Sequence, residues 1–176
     1  MRHITASLST AFLLLLAGCA NTTGLDPTVS HSGFDNANVV TIRSHGNACD
    51  EWVCTGIGAQ WSAKTPETAL LMVTITNEYR GIMGAQLNID GQVVTLKKTM
   101  TATSMDAAGG FRQSTQTFVV PLSLVKDITK SKRTWLRVQT TEGSYENAVI
   151  DGERDSKAFH ALKRFLTSVE QASAKS

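Results

Sequence analysis

Along most of this chain apolar and polar residues alternate one for one, the period of a strand with one dry face and one wet face. "ALLMVTITN" (Ala69–Asn77) sets the pattern, with Leu71, Val73 and Ile75 on one side and Thr74 and Thr76 on the other. Its β-branched side chains favour a pleated strand over a helix. "NVVTIR" (Asn38–Arg43), "GIGAQWS" (Gly56–Ser62) and "TQTFVVP" (Thr115–Pro121) read as further strands.

Two turn signals set registers. Asp90-Gly91, inside "AQLNIDGQVVTL", suits a two-residue hairpin turn that demands positive φ. The register it implies puts Leu87 opposite Val94, Ala85 opposite Leu96 and Ile89 opposite Gln92 on one face. Gln86, Asn88 and Thr95 fall on the other face, with Val93 as the apolar exception. Glu142-Gly143, between "TWLRVQT" and "SYENAVI", predicts a second hairpin, with Leu136 opposite Val149 and Trp135 opposite Ile150. One apolar face and one mostly polar face mean a sheet covered on one side.

The period changes twice. In "PLSLVKDITKS" Leu122, Val125 and Ile128 recur at helical spacing behind Pro121, which suits the first turn of a helix. From about Arg154, Ala158, Phe159, Leu162, Phe165, Leu166 and Val169 form a second helical stripe, with Asp155 placed to complement the dipole. His160 lies beside that stripe.

The expected fold is α+β and mainly antiparallel β. It is a sandwich or barrel-like sheet with a short crossover helix and a C-terminal helix. That single domain is read over residues 38–171, with 172–176 as a frayed tail. Thr99–Ser114 is the longest polar stretch inside it. The stretch reads either as a functional loop or as a longer hairpin whose arms extend into it.

The first eighteen residues carry no strand pattern. Arg2 and His3 precede an apolar run, "AFLLLLA" (Ala11–Ala17), with small residues at its end. The run is shorter than the roughly 20 residues that cross a bilayer, so 1–18 reads as a removable secretion signal. "LAGC" (Leu16–Cys19) resembles the lipobox of bacterial lipoproteins. The resemblance implies a mature chain beginning at lipidated Cys19, with a diacylglyceryl group on its thiol. Each buried methylene contributes about 0.8 kcal/mol, and with more than one chain the anchor holds stably. Ala20, where an Asp would favour the inner membrane in enteric-type sorting, points to the outer membrane. The expected location is therefore the cell envelope, lipid-anchored, at the outer membrane facing the periplasm. Residues 19–37 read as the lipidated cysteine and a flexible tether of at most about 60 Å. Phe34 is the tether's one large apolar residue, placed to dock on the domain's edge.

Composition narrows the function classes. With 17 Lys and Arg against 15 Asp and Glu, the chain is near neutral, so no nucleic-acid partner is expected. Cys49 and Cys54 enclose "DEWV", and in an oxidising compartment a disulfide is the default. Their spacing is wider than a C-x-x-C redox pair, and a metal site from His45, Cys49 and Cys54 would lack a fourth ligand.

The candidate binding residues are Trp52 with Asp50 and Glu51 on the stapled loop, and Phe111 and Arg112 in the Thr99–Ser114 stretch. The bland alternative has Trp52 folding back onto the core. Trp61 and Trp135 lie in strands as core or sheet-face residues. Lys126, Lys130, Lys132, Arg133 and Arg137 form a basic cluster, either a contact for anionic lipid or a solvated helix end. The chain has no G-x-S-x-G and no H-E-x-x-H pattern, and "GIGAQW" leads into a strand rather than a helix. No catalytic residue, metal ligand set or cofactor is assigned.

The leading expectation is a non-catalytic binding or assembly domain. It is held to the membrane by its acyl chains and has an envelope protein or glycan as partner. Two rivals are a hydrolase or transferase acting on envelope polymer, and a purely structural lipoprotein.

Overall fold

The computed structural model describes residues 24–108 and 110–174. The segment read as a secretion signal and Cys19 lie outside the described residues.

The elements run β1 (Thr28–Ser32), β2 (Ala37–Gly46), β3 (Cys54–Ser62), β4 (Thr68–Thr76), β5 (Ile82–Ile89), β6 (Gln92–Thr95) and β7 (Lys97–Lys98). Then come β8 (Ser104–Ala108), β9 (Phe111–Pro121), α1 (Leu122–Lys130), β10 (Arg133–Thr140), β11 (Gly143–Asp151), β12 (Arg154–Asp155) and α2 (Lys157–Ser173). A large sheet has the order β1-β2-β3-β4-β9-β7, with β8 also on β9, and a small sheet has the order β12-β11-β10-β5-β6. Neither sheet closes on itself, and the fold is α+β and sandwich-like, as the alternation implies.

Period-two alternation decides what fills the space between the sheets. Ile57, Ala59 and Trp61 of β3 align with Val73, Leu71 and Ala69 of β4, and Phe118 and Val120 of β9 continue the rows. These side chains are buried, as are Ala85, Leu87, Leu136 and Val138 of the small sheet. Burying each large one contributes about 1.5–3 kcal/mol. Trp61 places its indole N–H on the Pro66 carbonyl at 2.9 Å, so its polar atom is satisfied. α2 packs mainly on β2 and β3, and α1 packs on α2, β9 and β4. The Ser156 hydroxyl caps α2, accepting from the Phe159 N–H at 3.1 Å and donating to the Val149 carbonyl at 2.7 Å.

The two sheets are joined at their margins by main chain. β6 leaves the small sheet at buried Leu96, whose N–H still reaches the Ala85 carbonyl at 2.9 Å. The next residues, Lys97 and Lys98, pair with Val119 and Phe118 of the large sheet. Beyond the end of β2, the Ala48 N–H donates to the Ala148 carbonyl of β11 at 2.8 Å.

Four expectations need correction. Part of the segment read as a tether is ordered: β1 pairs in full with the start of β2, and Leu25 is 1% exposed in the core. β1 is an edge strand with almost no apolar side chains, so main-chain bonding holds it and hydropathy does not reveal it. Phe34 stands on the β1–β2 turn at 98% exposure and does not dock. At the other end, α2 extends through Ser173 and Ala172 is buried, so the frayed tail was drawn too early. The second hairpin is offset by two residues, with Leu136 opposite Asn147 and Trp135 opposite Ala148. Gly143, at φ 135°, closes the ladder against Thr140, and Thr141-Glu142 form the turn instead. A two-residue slip keeps every side chain on its face, so the core is unchanged.

The Asp90-Gly91 hairpin has the expected register, Leu87 on Val94 and Ile89 on Gln92. Of the polar stretch Thr99–Ser114, the part from Ser104 onward is the longer hairpin, β8 on β9.

Candidate functional site

The site grows from a buried polar knot where β2 ends and β3 begins. Thr55 sits on the inner face of β3, and its N–H and hydroxyl both donate to Asn147 Oδ1 on β11, at 2.8 and 2.9 Å. Asn47 Nδ2 donates to the Thr55 hydroxyl at 2.8 Å. All three residues are buried, so the knot ties one sheet to the other through groups that cannot fall back on water. Directly beyond it, Cys49 and Cys54 are bonded at 2.06 Å and close the loop between the two strands.

That loop exposes Trp52 at 73%, so the indole is no lid on the core. Asn77, just past the end of β4, holds two segments together. Its side-chain amide donates to the Trp52 carbonyl at 2.6 Å, and its N–H donates to the Arg112 carbonyl at 2.7 Å. Asn77 adopts φ 74°, a left-handed conformation that Asn tolerates better than most residues. Arg112 places its guanidinium 5.7 Å from the Tyr79 ring centroid, and Phe111 beside it is 62% exposed. Three of the five candidate binding residues, Trp52, Phe111 and Arg112, therefore belong to one end of the sandwich.

Asp50 and Glu51 face elsewhere. Asp50 pairs with Arg154 at 2.6 Å, and both acids line a hollow with Ala48, Cys49, Trp135, Glu146 and Asn147. Trp135 also lines a neighbouring groove on the outer face of the small sheet. The sequence places it in a strand, opposite in face to Leu136, but does not tell which side chains the register brings beside it. Asn77, Tyr79 and the groove residues Gln86 and Asn88 were not singled out. Their only sequence signal was a polar character that any wet face shares.

The basic cluster divides. Arg133 pairs with Asp151 at 3.3 Å and Arg137 with Glu146 at 2.6 Å, whereas Lys126 and Lys130 stand on the exposed side of α1.

His45 is half-buried and its Nε2 has no hydrogen-bond partner. Burial, with help from Arg43 and Lys157, holds its pKa below the ordinary 6.5. No Ser or Asp contacts the His45 Nε2, the contact that would have favoured the catalytic rival. The disulfide also withdraws Cys49 and Cys54 as metal ligands. Among the described residues no group of three His, Cys, Asp or Glu side chains is placed to hold a metal ion.

No protein-family model matches this chain, and no curated protein and no solved structure matches it.

Proposed function

We propose that this chain is a lipid-anchored lipoprotein of the bacterial envelope, at the outer membrane facing the periplasm. Its non-catalytic domain binds an envelope protein through the end that carries Trp52, Tyr79, Phe111 and Arg112. One observation carries the reading: Asn77 bonds both the stapled loop and the start of β9, so separate segments present exposed aromatics together. Exposed Trp, Tyr and Arg are the side chains that most often anchor protein interfaces. Fixing Trp52 by a disulfide and a side-chain amide lowers the ordering cost of binding.

The anchor rests on "LAGC". Since Leu25 is already in the core, only the short run after Cys19 separates acyl chains from domain. Fully extended, that run reaches about 20 Å, so the domain works close to the bilayer.

Two experiments test this. Labelled palmitate should enter the protein and be lost in Cys19→Ala; no incorporation would remove the anchor. A photo-crosslinker at Phe111 in living cells should capture one envelope protein at near-equal stoichiometry. Trp52→Ala should abolish that capture, and capture indifferent to Trp52 would overturn the interface.

A further inference from the structure

We propose that the outer face of the small sheet is a second binding site, a groove for a neutral, hydroxyl-rich oligosaccharide with Trp135 as its stacking platform. The site lies apart from the aromatic end and does not depend on it.

Register builds the groove. One row runs Val93, Asn88, Trp135 across the wet face, from β6 through β5 to β10, and ends at buried Ala148 of β11. The next row runs Thr95, Gln86, Arg137, Glu146 over the same strands. The groove holds about 330 Å³, and Trp135 and Glu146 form its border with the separate hollow beside Asp50, Glu51 and Arg154. From Val93 on β6 to Glu146 on β11 the groove covers three strand spacings, roughly 15 Å. That length suits several linked sugar rings rather than one.

The chemistry selects the ligand. Folding gives no reason for an indole here, because the inner side of β10 is already filled by Thr134, Leu136 and Val138. The ring is held in place: its N–H donates to Asp151 at 2.9 Å and the Arg133 guanidinium lies 6.0 Å from its centroid. With its one polar atom satisfied and Arg133 over one side, the half-buried indole offers the rest of its apolar surface to the C–H face of a sugar ring.

The polar side chains around it are planar forks: two amides, a carboxylate and two guanidiniums. Each presents paired donors or acceptors at the spacing that neighbouring hydroxyls require. Asn88 is fixed by the Gly91 N–H on its Oδ1 at 3.0 Å, leaving its NH2 for a ligand. Charge settles between neutral and anionic ligands. Arg133 is matched by Asp151 and Arg137 by Glu146, so the groove carries no surplus positive field to attract phosphates or sulfates.

The test uses the full lipidated chain in detergent micelles, titrated with chitohexaose, cellohexaose and maltohexaose and followed by calorimetry. At least one should bind, with Trp135→Ala weakening it by about tenfold or more and Gln86→Ala by a smaller factor. Among the described residues the Gln86 side chain bonds its exposed neighbour Thr95, so its loss leaves the fold intact even if Trp135→Ala does not. Trp52→Ala should bind the sugar unchanged, which separates this site from the protein interface. The proposal falls if none of the three sugars binds at millimolar concentration, or if binding ignores both groove variants. It also falls if sulfated dextran binds instead and salt abolishes that binding.

Discussion

The stapled loop and the β8–β9 hairpin meet at Asn77, yet they are held there by different means. Behind the stapled loop lie a disulfide and the buried Asn47–Thr55–Asn147 knot, which reaches the opposite sheet. The hairpin is tied chiefly by its own ladder, and Met105 and Phe111 are exposed along it. The first arm is tied to both sheets; the second, beyond Gln113, is tied to β4 through Asn77 and is the less constrained of the two. A rigid anchor beside an adjustable one lets an interface fix its register first and then optimise its contacts.

Substitutions can break this contrast at graded cost. The largest effect is expected behind the rigid arm at Gly58. A Cβ there would lie 2.6 Å from the Ser44 nitrogen and 2.7 Å from Arg43 and Ile42 main chain. Gly58→Ala should cost about 3 kcal/mol or prevent folding, read by urea denaturation. Asn147→Ala leaves the buried N–H and hydroxyl of Thr55 without their acceptor and should cost about 2–3 kcal/mol. Replacing both Cys49 and Cys54 by Ser should cost about 2 kcal/mol in the chain-entropy account.

His45 adds a pH dependence. Its folded pKa lies below 6.5, so the unfolded chain takes up its proton first. The stability it supports is full above that value and declines as the pH falls from about 7 toward the folded pKa. His45→Gln should flatten this part of the melting-temperature profile, and an unchanged profile would refute the assignment. The smallest effect belongs to the adjustable arm: Phe111→Ala should alter stability by no more than about 0.5 kcal/mol while abolishing partner capture. A stability loss approaching that of Asn147→Ala would show that the two arms are not different in kind.

Much of the fold was legible because alternation reports burial directly. Leu71, Val73 and Ile75 share a dry face, and Leu122, Val125 and Ile128 form the buried stripe of α1. What escaped was structure made by main chain. β1 has a strand's hydrogen bonds without a strand's side chains. The slip of the second hairpin turned on which residue of Thr141-Glu142-Gly143 closes the ladder, a choice that hydropathy does not encode. The candidate site divided in the same way. Trp52, Phe111 and Arg112 stood out as residue types on loops, whereas Asn77 acts by joining segments distant in sequence. Trp135 had an evident strand position, and alternation puts it on the face opposite Leu136 and Val138, but its neighbours depended on the register.

The strand that begins as β6 in one sheet and continues as β7 in the other has a mechanical consequence. With the bridge at Ala48 on the opposite side, neither sheet can slide over the other without breaking main-chain hydrogen bonds. The stapled Trp52 loop and the groove are therefore braced against each other. A protein held at the first and a polymer held at the second would sit at one set spacing, with the domain as a ruler between them.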